Sequence, residues 1–120
     1  MKKMKRYLLA LDQGTTSSRA LLVAQDATVR AIAQAEFKQN FPKNGWVEHD
    51  ANEIWSSQLK VAKEVLEQLS GEDAKIDAIG ITNQRETVVV WDAQTAEPIH
   101  NAIVWQDKRT TERCEALKAE

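Results

Sequence analysis

Cysteine, glycine and proline are all scarce in this sequence. Cys114 is the one cysteine, so no internal disulfide can form and a disulfide-stapled secreted scaffold is excluded. The chain has only four glycines and two prolines. A dinucleotide-binding loop needs three closely spaced glycines that open a helix, and a P-loop needs Gly-Lys-Ser/Thr. Neither pattern is present, which excludes both kinds of glycine-rich nucleotide loop.

Long apolar runs and an excess of one charge are missing as well. The chain has 16 Lys and Arg against 18 Asp and Glu, a net charge of −2, so it lacks the basic footprint of a nucleic-acid or membrane-surface protein. The basic cluster Lys2–Arg6 precedes too few apolar residues for a signal peptide, and no run approaches membrane-spanning length. We therefore expect a cytoplasmic protein with no nucleic-acid partner and no membrane insertion.

The stretch Asp12–Ser18 holds an unusual set of polar groups between two short apolar runs. Such runs on either side of a glycine-containing link predict a β-hairpin. The link carries one carboxylate, one glycine and four hydroxyls, whereas a turn needs only Gly, Asn or Asp. Backbone N–H groups of a tight turn bind anions, and a carboxylate such as Asp12 holds Mg²⁺ directly or through its waters. We interpret the link as a phosphate-binding hairpin; an ordinary surface hairpin is the alternative.

Hydrophobic periodicity predicts a sheet followed by one long helix. Three consecutive strands that form an antiparallel meander are expected at Arg6–Leu11, Arg19–Gln25 and Thr28–Lys38. A helix is expected over Asp50–Leu69, where Asp50 and Glu53 have the spacing of a capping box. Because this helix must cover a sheet face, we expect Trp55 to lie in the core.

Two more strands and a charged segment follow. Strands are predicted at Ile76–Thr82 and Thr87–Asp92, with burial on both faces of the second because Val88–Trp91 is continuously apolar. The segment Lys108–Glu120 has the composition of a helix start. It contains no Gly or Pro to end that helix, which we interpret as truncation.

Two further polar clusters could bind a ligand. Arg85 and Glu86 lie inside a run of six polar residues between two predicted strands. Neighbours in a regular strand point to opposite faces, so the pair can share a ligand only if strand pairing breaks near Gln84–Glu86. A guanidinium and a carboxylate together match the hydroxyls of a small polyol. The alternative is a solvated turn with a local ion pair. Trp105 could pack against a polyol, although a core position is the commoner one for tryptophan.

Four stretches of the sequence together resemble the FGGY family of carbohydrate kinases, within the actin/hexokinase/heat-shock ATPase superfamily. They are Ala10–Arg19, Gly45–Asp50 with the Ile54-Trp55 that follows, Gly80–Thr87 and Ala102–Asp107. The resemblance is strongest to members that phosphorylate glycerol, chiefly through Asn83–Glu86. It implies a ribonuclease H-like (actin-like ATPase) α/β fold with a mixed β-sheet, an antiparallel three-strand meander and packing helices. Residues 1–120 would be the N-terminal part of the family's N-terminal domain, and the C-terminal nucleotide-binding domain would lie outside them.

The resemblance also implies a reaction, transfer of the γ-phosphoryl group of Mg-ATP to glycerol, and assigns residues to the nucleotide side of the site. Thr15, Thr16 and Ser17 would contact the nucleotide phosphates, and Arg19 would support them. Asp12 would hold Mg²⁺ through water.

On the substrate side, Arg85 and Glu86 would bind the glycerol hydroxyls, with Thr15 beside them, and Trp105 would pack on the glycerol carbons. Lys108 departs from the arginine that the family commonly carries there, at a position that does not touch this site.

Family members are several times longer than this chain, and their later part supplies the general base and the adenine site. The resemblance therefore implies that these 120 residues are inactive alone and belong to an enzyme that forms a homo-oligomer. Asp107 does not replace the missing base, since nothing in the sequence brings it near glycerol. Two alternatives remain: a non-catalytic module that binds polyol or phosphate, and a kinase for another sugar or polyol.

Overall fold

A computed structural model describes residues 3–120, so that Lys2 of the basic cluster lies outside the described residues. The strands and helices follow one another as β1 (Lys5–Gln13), β2 (Ser17–Ala24), β3 (Val29–Glu36), β4 (Glu48–His49), α1 (Ala51–Glu67), β5 (Ala74–Thr82), β6 (Ala102–Ile103) and α2 (Thr111–Lys118). Neither helix is long and apolar enough to cross a membrane.

The described chain divides into two compact units. The first unit comprises Ile54–Gln84 and the described part of Met1–Phe37, and the second comprises Lys38–Glu53 and Arg85–Glu120.

The first unit is built on a mixed sheet with the strand order β3-β2-β1-β5. The strands β1, β2 and β3 pair antiparallel in succession, which confirms the predicted meander. The strand β5 joins the other edge of β1 in parallel, as the return strand of a crossover that contains α1. The carboxyl ends of β1 and β5 therefore meet at one edge, where Asp12 lies opposite Thr82.

The core lies between α1 and one face of this sheet. Alternate residues of β1 and β2 point to that face, and α1 contributes residues one turn apart. The buried cluster consists of Tyr7, Leu9, Ala20, Leu22, Val61 and Val65. Trp55, expected in this core, is 66% exposed, so that expectation was wrong. Helical spacing allowed a wide apolar stripe, but the buried face of α1 is the narrower set Ser57, Gln58, Val61, Ala62 and Val65.

The ends of α1 lie close to the predicted ones. The side chain of Asp50 accepts a hydrogen bond from the backbone N–H of Asn52 at 2.8 Å, as an N-terminal cap does. At the other end Gly71 has a φ of +77°, the left-handed conformation that commonly follows a helix.

The second unit contains the short antiparallel pair β4–β6 and the largest departure from the sequence predictions. Thr87–Asp92 is not a regular strand: Val88 pairs singly with Ile103, and Trp91 pairs singly with Pro98. Val88 is 64% exposed, so the expected burial on both faces was wrong. Pro98 has no N–H to extend the pairing, and the side chain of Asp92 turns the chain by accepting the N–H groups of Gln94 and Thr95.

The remaining secondary-structure predictions agree with the structure to within a few residues. The strand at Ile76–Thr82 is β5, and the charged segment after Lys108 forms α2.

The packing of the first unit predicts how two leucines on one sheet differ. Leu22 is fully buried against α1, whereas Leu8 is half-exposed on the opposite face. Leu22→Ala should lower the free energy of unfolding by about 2–5 kcal/mol, because it leaves a cavity in the core. Leu8→Ala, the matched control, should cost about 1 kcal/mol or less. Urea unfolding of both variants measures the difference, and equal losses would contradict this account of the core.

Candidate functional site

The polar link predicted to bind phosphate is the tight connection between β1 and β2. The backbone N–H of Gly14 donates to the carbonyl of Ser17 at 2.9 Å and closes the turn. The side chain of Gln13 adds two bonds: its amide donates to the carbonyl of Gly14 at 3.2 Å, and its oxygen accepts from the hydroxyl of Ser18 at 2.9 Å. The link is therefore held from both strands.

Glycine at position 14 accommodates a close approach within this turn. A Cβ atom on Gly14 would lie 3.0 Å from the carbonyl oxygen of Ser17. Its φ is not in the left-handed region, so proximity, rather than an unusual backbone conformation, selects the glycine.

A buried hydrogen-bond chain connects the start of β2 to α1. The hydroxyls of Ser18 and Ser57 lie 2.7 Å apart, and both residues are buried. The next residue of α1, Gln58, donates its side-chain amide to the carbonyl of Arg19 at 3.0 Å. Because most buried polar groups in proteins are paired, these bonds help to fix where the hairpin sits on the helix. Sequence analysis missed Ser57 and Gln58, since nothing local distinguishes them from solvent-facing helix residues.

The hydroxyls of the link differ in their availability. Ser18 is fully buried and bonded inside the protein. Thr16 is exposed, and Thr15 and Ser17 are half-buried. The hydroxyl oxygen of Ser17 accepts a hydrogen bond from the amide of Gln34 on β3 at 2.9 Å, which directs the hydroxyl hydrogen of Ser17 towards another acceptor. The candidate phosphate-binding hydroxyls are thus Thr15, Thr16 and Ser17.

Asp12 and Arg19 stand opposite each other across the hairpin. Their backbones pair in the β1–β2 register, and both side chains are half-buried. Among residues 3–120, no three or more His, Cys, Asp and Glu side chains are grouped so that they could hold a metal ion, so Asp12 belongs to no multi-carboxylate metal site there. One accessible carboxylate beside hydroxyls fits Mg²⁺, which keeps most of its waters and binds one or two carboxylates together with substrate phosphates.

Of the candidate substrate residues, Arg85, Glu86 and Trp105 belong to the second unit and Thr15 to the first. Strand β5 ends at Thr82, and Arg85 and Glu86 form an exposed turn, which confirms that pairing breaks where a shared ligand requires it. Glu86 has a φ of +56°, a left-handed conformation that is uncommon for a residue with a side chain.

The single pair Val88–Ile103 relates this turn to Trp105. The two segments run antiparallel. Glu86 lies two residues before Val88, and Trp105 lies two residues after Ile103, so both are at the same end of the pair. Trp105 is 55% exposed, which leaves its indole accessible and contradicts a core position.

A buried ionic cluster lies next to this tryptophan in the chain. The guanidinium of Arg109 donates to the carboxylate of Asp107 at 2.8 Å and to that of Glu48 at 2.9 Å. It also lies over the ring of Trp46, 3.8 Å from its centre. Both carboxylates are almost completely inaccessible to solvent.

The cluster keeps both carboxylates charged. Hydrogen bonds from the side chain of Arg109 lower the pKa of Asp107 to about 2 in spite of burial, and the N–H groups of Arg109 and Val47 add to the effect. Burial opposes the charged form of Glu48, yet hydrogen bonds from Arg109 and Asn101 lower its pKa as well. A buried carboxylate with these partners is a poor general base, so Asp107 is structural. Sequence analysis missed the roles of Glu48 and Arg109, which are 61 residues apart.

Three comparisons relate the chain to known proteins. Residues 7–120 match the N-terminal domain of the FGGY family of carbohydrate kinases. The glycerol kinase of Rhodopirellula baltica is 62% identical over 94% of this chain, and that of Trichlorobacter lovleyi is 63% identical over 93%. The chain spans only 21% and 23% of the length of these relatives.

Solved structures show the same fold. The structure of Plasmodium falciparum glycerol kinase with ADP superposes with a TM-score of 0.92 at 34% identity, and covers 97% of this chain and 23% of that one. The xylulose kinase of Rhodospirillum rubrum superposes with a TM-score of 0.87 at 29% identity, over 95% of this chain and 23% of its own. The mixed sheet, its meander and its packing helix are therefore those of FGGY kinases, as the sequence predicted.

The charged state of Asp107 predicts a specific acid sensitivity. Its pKa of about 2 in the folded protein lies below the ordinary value of 3.8, so its contribution to stability is complete above about pH 4 and is lost as the pH falls through 2. Asp107→Asn should destabilise the chain at pH 7, by up to about 3–5 kcal/mol if the other charges stay buried, and the deficit should shrink below pH 4. The exposed Asp73→Asn is the control. Urea titrations between pH 2 and 7 measure this, and a deficit independent of pH contradicts it.

Proposed function

This chain belongs to the FGGY family of carbohydrate kinases, and from that premise we propose that it is part of an enzyme that transfers the γ-phosphoryl group of ATP to glycerol. The observation that supports glycerol as the substrate is the similarity to proteins named glycerol kinase, at 54% to 63% identity over almost the whole chain. The hydroxyl-bearing hairpin and the exposed Arg85–Glu86 turn supply groups suited to a phosphate and to a polyol, respectively.

The nucleotide side of the reaction is assigned to the first unit. Thr15, Thr16 and Ser17 donate hydrogen bonds to the nucleotide phosphates, and Arg19 adds a positive charge to the nucleotide side. Phosphoryl transfer depends mainly on positioning and on neutralising charge, which is what a rigid row of donors provides. The support for this assignment is the turn held by Gln13 and the bond from Gln34 to Ser17.

The metal side is assigned to Asp12, which holds Mg²⁺ through coordinated water. When bound, Mg²⁺ neutralises the phosphate oxygens on which charge develops. The side chain of Asp12 is half-buried at the end of β1, beside the hairpin hydroxyls.

Three of the four residues assigned to the substrate side belong to the second unit. The guanidinium of Arg85 donates to glycerol hydroxyls, the carboxylate of Glu86 accepts from them, and Trp105 packs against the carbon atoms. Thr15 is a further candidate for contact with glycerol. The exposure of Arg85, Glu86 and Trp105 and their order around the Val88–Ile103 pair support this assignment.

We assign no general base within residues 3–120, since Asp107 is buried and bonded to Arg109. We propose that the base and the adenine site belong to a further part of the protein. The lengths of the relatives support this proposal, because the matched region is less than a quarter of each.

The first experiment is an ATP-dependent phosphorylation assay on the whole protein from its source, with glycerol, xylulose and gluconate offered in parallel, and on the 120-residue chain alone. We expect glycerol 3-phosphate from the whole protein and no turnover by the 120 residues. If the whole protein prefers another substrate, that substrate replaces glycerol in the proposal. If the whole protein binds glycerol without turnover, a non-catalytic module is favoured.

Arg85 should be essential in that assay. Arg85→Ala in the whole protein should lower kcat/KM for glycerol by about 10⁴-fold, because a site built to bind hydroxyls loses that much when a pairing is removed. Arg113→Ala, at an exposed arginine on α2, is the matched control and should leave kcat/KM unchanged. An Arg85 variant as active as the control excludes Arg85 from the glycerol site.

Asp12 should control the requirement for Mg²⁺. Asp12→Asn keeps the size of the side chain and removes its charge, so the Mg²⁺ concentration for half-maximal rate should rise by about 10- to 100-fold, as for other outer partners of a metal. The exposed Asp73→Asn should leave it unchanged. Titration of the initial rate with Mg²⁺ at saturating ATP distinguishes the two, and coincident curves would remove Asp12 from the metal site.

A further inference from the structure

Trp105 is carried on a short turn whose two ends are both fixed. The backbone N–H of Asp107 donates to the carbonyl of Val104 at 2.9 Å and closes the turn, so that Trp105 and Gln106 form its tip. On the incoming side, Ile103 pairs with Glu48, and Val104 donates its N–H to the carbonyl of Val47 at 3.3 Å. The position of the indole therefore depends on the backbone of Val104–Asp107.

The outgoing side of the turn is held by the carboxylate of Asp107. One oxygen accepts the backbone N–H of Val47 at 2.7 Å. The other accepts the backbone N–H and the Nε–H of Arg109, each at 2.9 Å. Lys108, between these two residues, donates its N–H to the carbonyl of Gly45 at 2.7 Å. The turn is thus attached to Gly45–Glu48 at both of its ends.

Arg109 joins both attachments through its side chain, whereas Val47 joins them through its backbone. Its guanidinium bonds to Asp107 at the end of the turn and to Glu48, the residue opposite Ile103 at its start, and it also lies over the ring of Trp46. Resting on the proposed function, we propose that Arg109 is a positioning residue for glycerol, which acts by fixing the turn that presents Trp105.

The chemistry of the cluster explains why an arginine is required. Burying three charges carries a large desolvation penalty, and apolar residues of similar volume often stabilise a fold equally well. A planar guanidinium fixes the relative positions of its partners, because it can bond to two carboxylates in fixed directions and stack on a ring. A lysine keeps the charge but is a single point donor on a flexible stem, so it cannot hold both attachments in one arrangement.

The first test compares Arg109→Lys with Arg113→Lys in the whole protein. We expect Arg109→Lys to raise the KM for glycerol about tenfold, since a small misplacement of a substrate-packing group has effects of this size, while the KM for ATP changes by less than about twofold. Arg113→Lys should change neither. Equal effects on both KM values, or no effect on either, would overturn the proposal.

A double-mutant cycle with Trp105→Ala tests whether Arg109 acts through the indole. If it does, Arg109→Lys should have an effect of less than about twofold on the KM for glycerol once Trp105 is absent. The same tenfold effect in both backgrounds would mean that Arg109 acts independently of Trp105, which overturns the proposal. If Arg109→Lys does not fold, Asp107→Asn takes its place in the cycle under the same criteria.

Amide hydrogen exchange separates this inference from the proposed function. Exchange at Trp105 and Gln106 requires no substrate, and in Arg109→Lys it should be about tenfold faster or more, since local opening becomes easier, while Arg113→Lys leaves it unchanged. Unchanged exchange overturns the positioning role even if the wild-type enzyme phosphorylates glycerol. Conversely, a wild-type protein without glycerol kinase activity contradicts the proposed function, while faster exchange would still support the role of Arg109 in fixing the turn.

Discussion

The packing of α1 on one face of the β1–β2 pair is the interaction on which the first unit depends. Val61 and Val65 fill the space against Tyr7, Leu9 and Leu22. One turn earlier on the same face, the helix changes from apolar to polar, and Ser57 and Gln58 bond to the start of β2. The apolar part supplies the stability, and the polar part sets the position of the hairpin, because buried hydrogen bonds tolerate little displacement.

In the second unit, buried charged side chains hold the loops in position. It has two very short strands and few buried apolar residues. Bonds between side chains therefore connect its segments, as the sheet connects those of the first unit. Arg109, Glu48 and Asp107 occupy its interior, together with His49, which bonds to Gln39. An interior of this kind is expensive in free energy but defines one arrangement of the loops, and loops carry the groups that meet substrates.

Sequence reasoning succeeded for features that depend on residues close together in the chain. The meander, the long helix and the break in pairing at Arg85 and Glu86 follow from periodicity and turn chemistry within a few residues of each element. It failed for Trp55 and Val88–Trp91, because an apolar side chain indicates burial without saying whether another element is there to cover it. Contacts such as Ser18 with Ser57, 39 residues away, depend on the whole topology and have no local signal. The family resemblance supplied what the residues could not, namely glycerol as the proposed substrate.

At Glu86, the residue that best fits the backbone conformation differs from the residue that the proposed substrate site requires. Its left-handed φ of +56° is costly for any residue with a Cβ, by about 1 kcal/mol or more, and glycine would adopt it freely. Glycine there would make the chain more stable and would remove the carboxylate assigned to glycerol. On the proposed assignment, a glycine at this position would favour stability and the glutamate favours substrate binding, so Glu86 exchanges stability for activity.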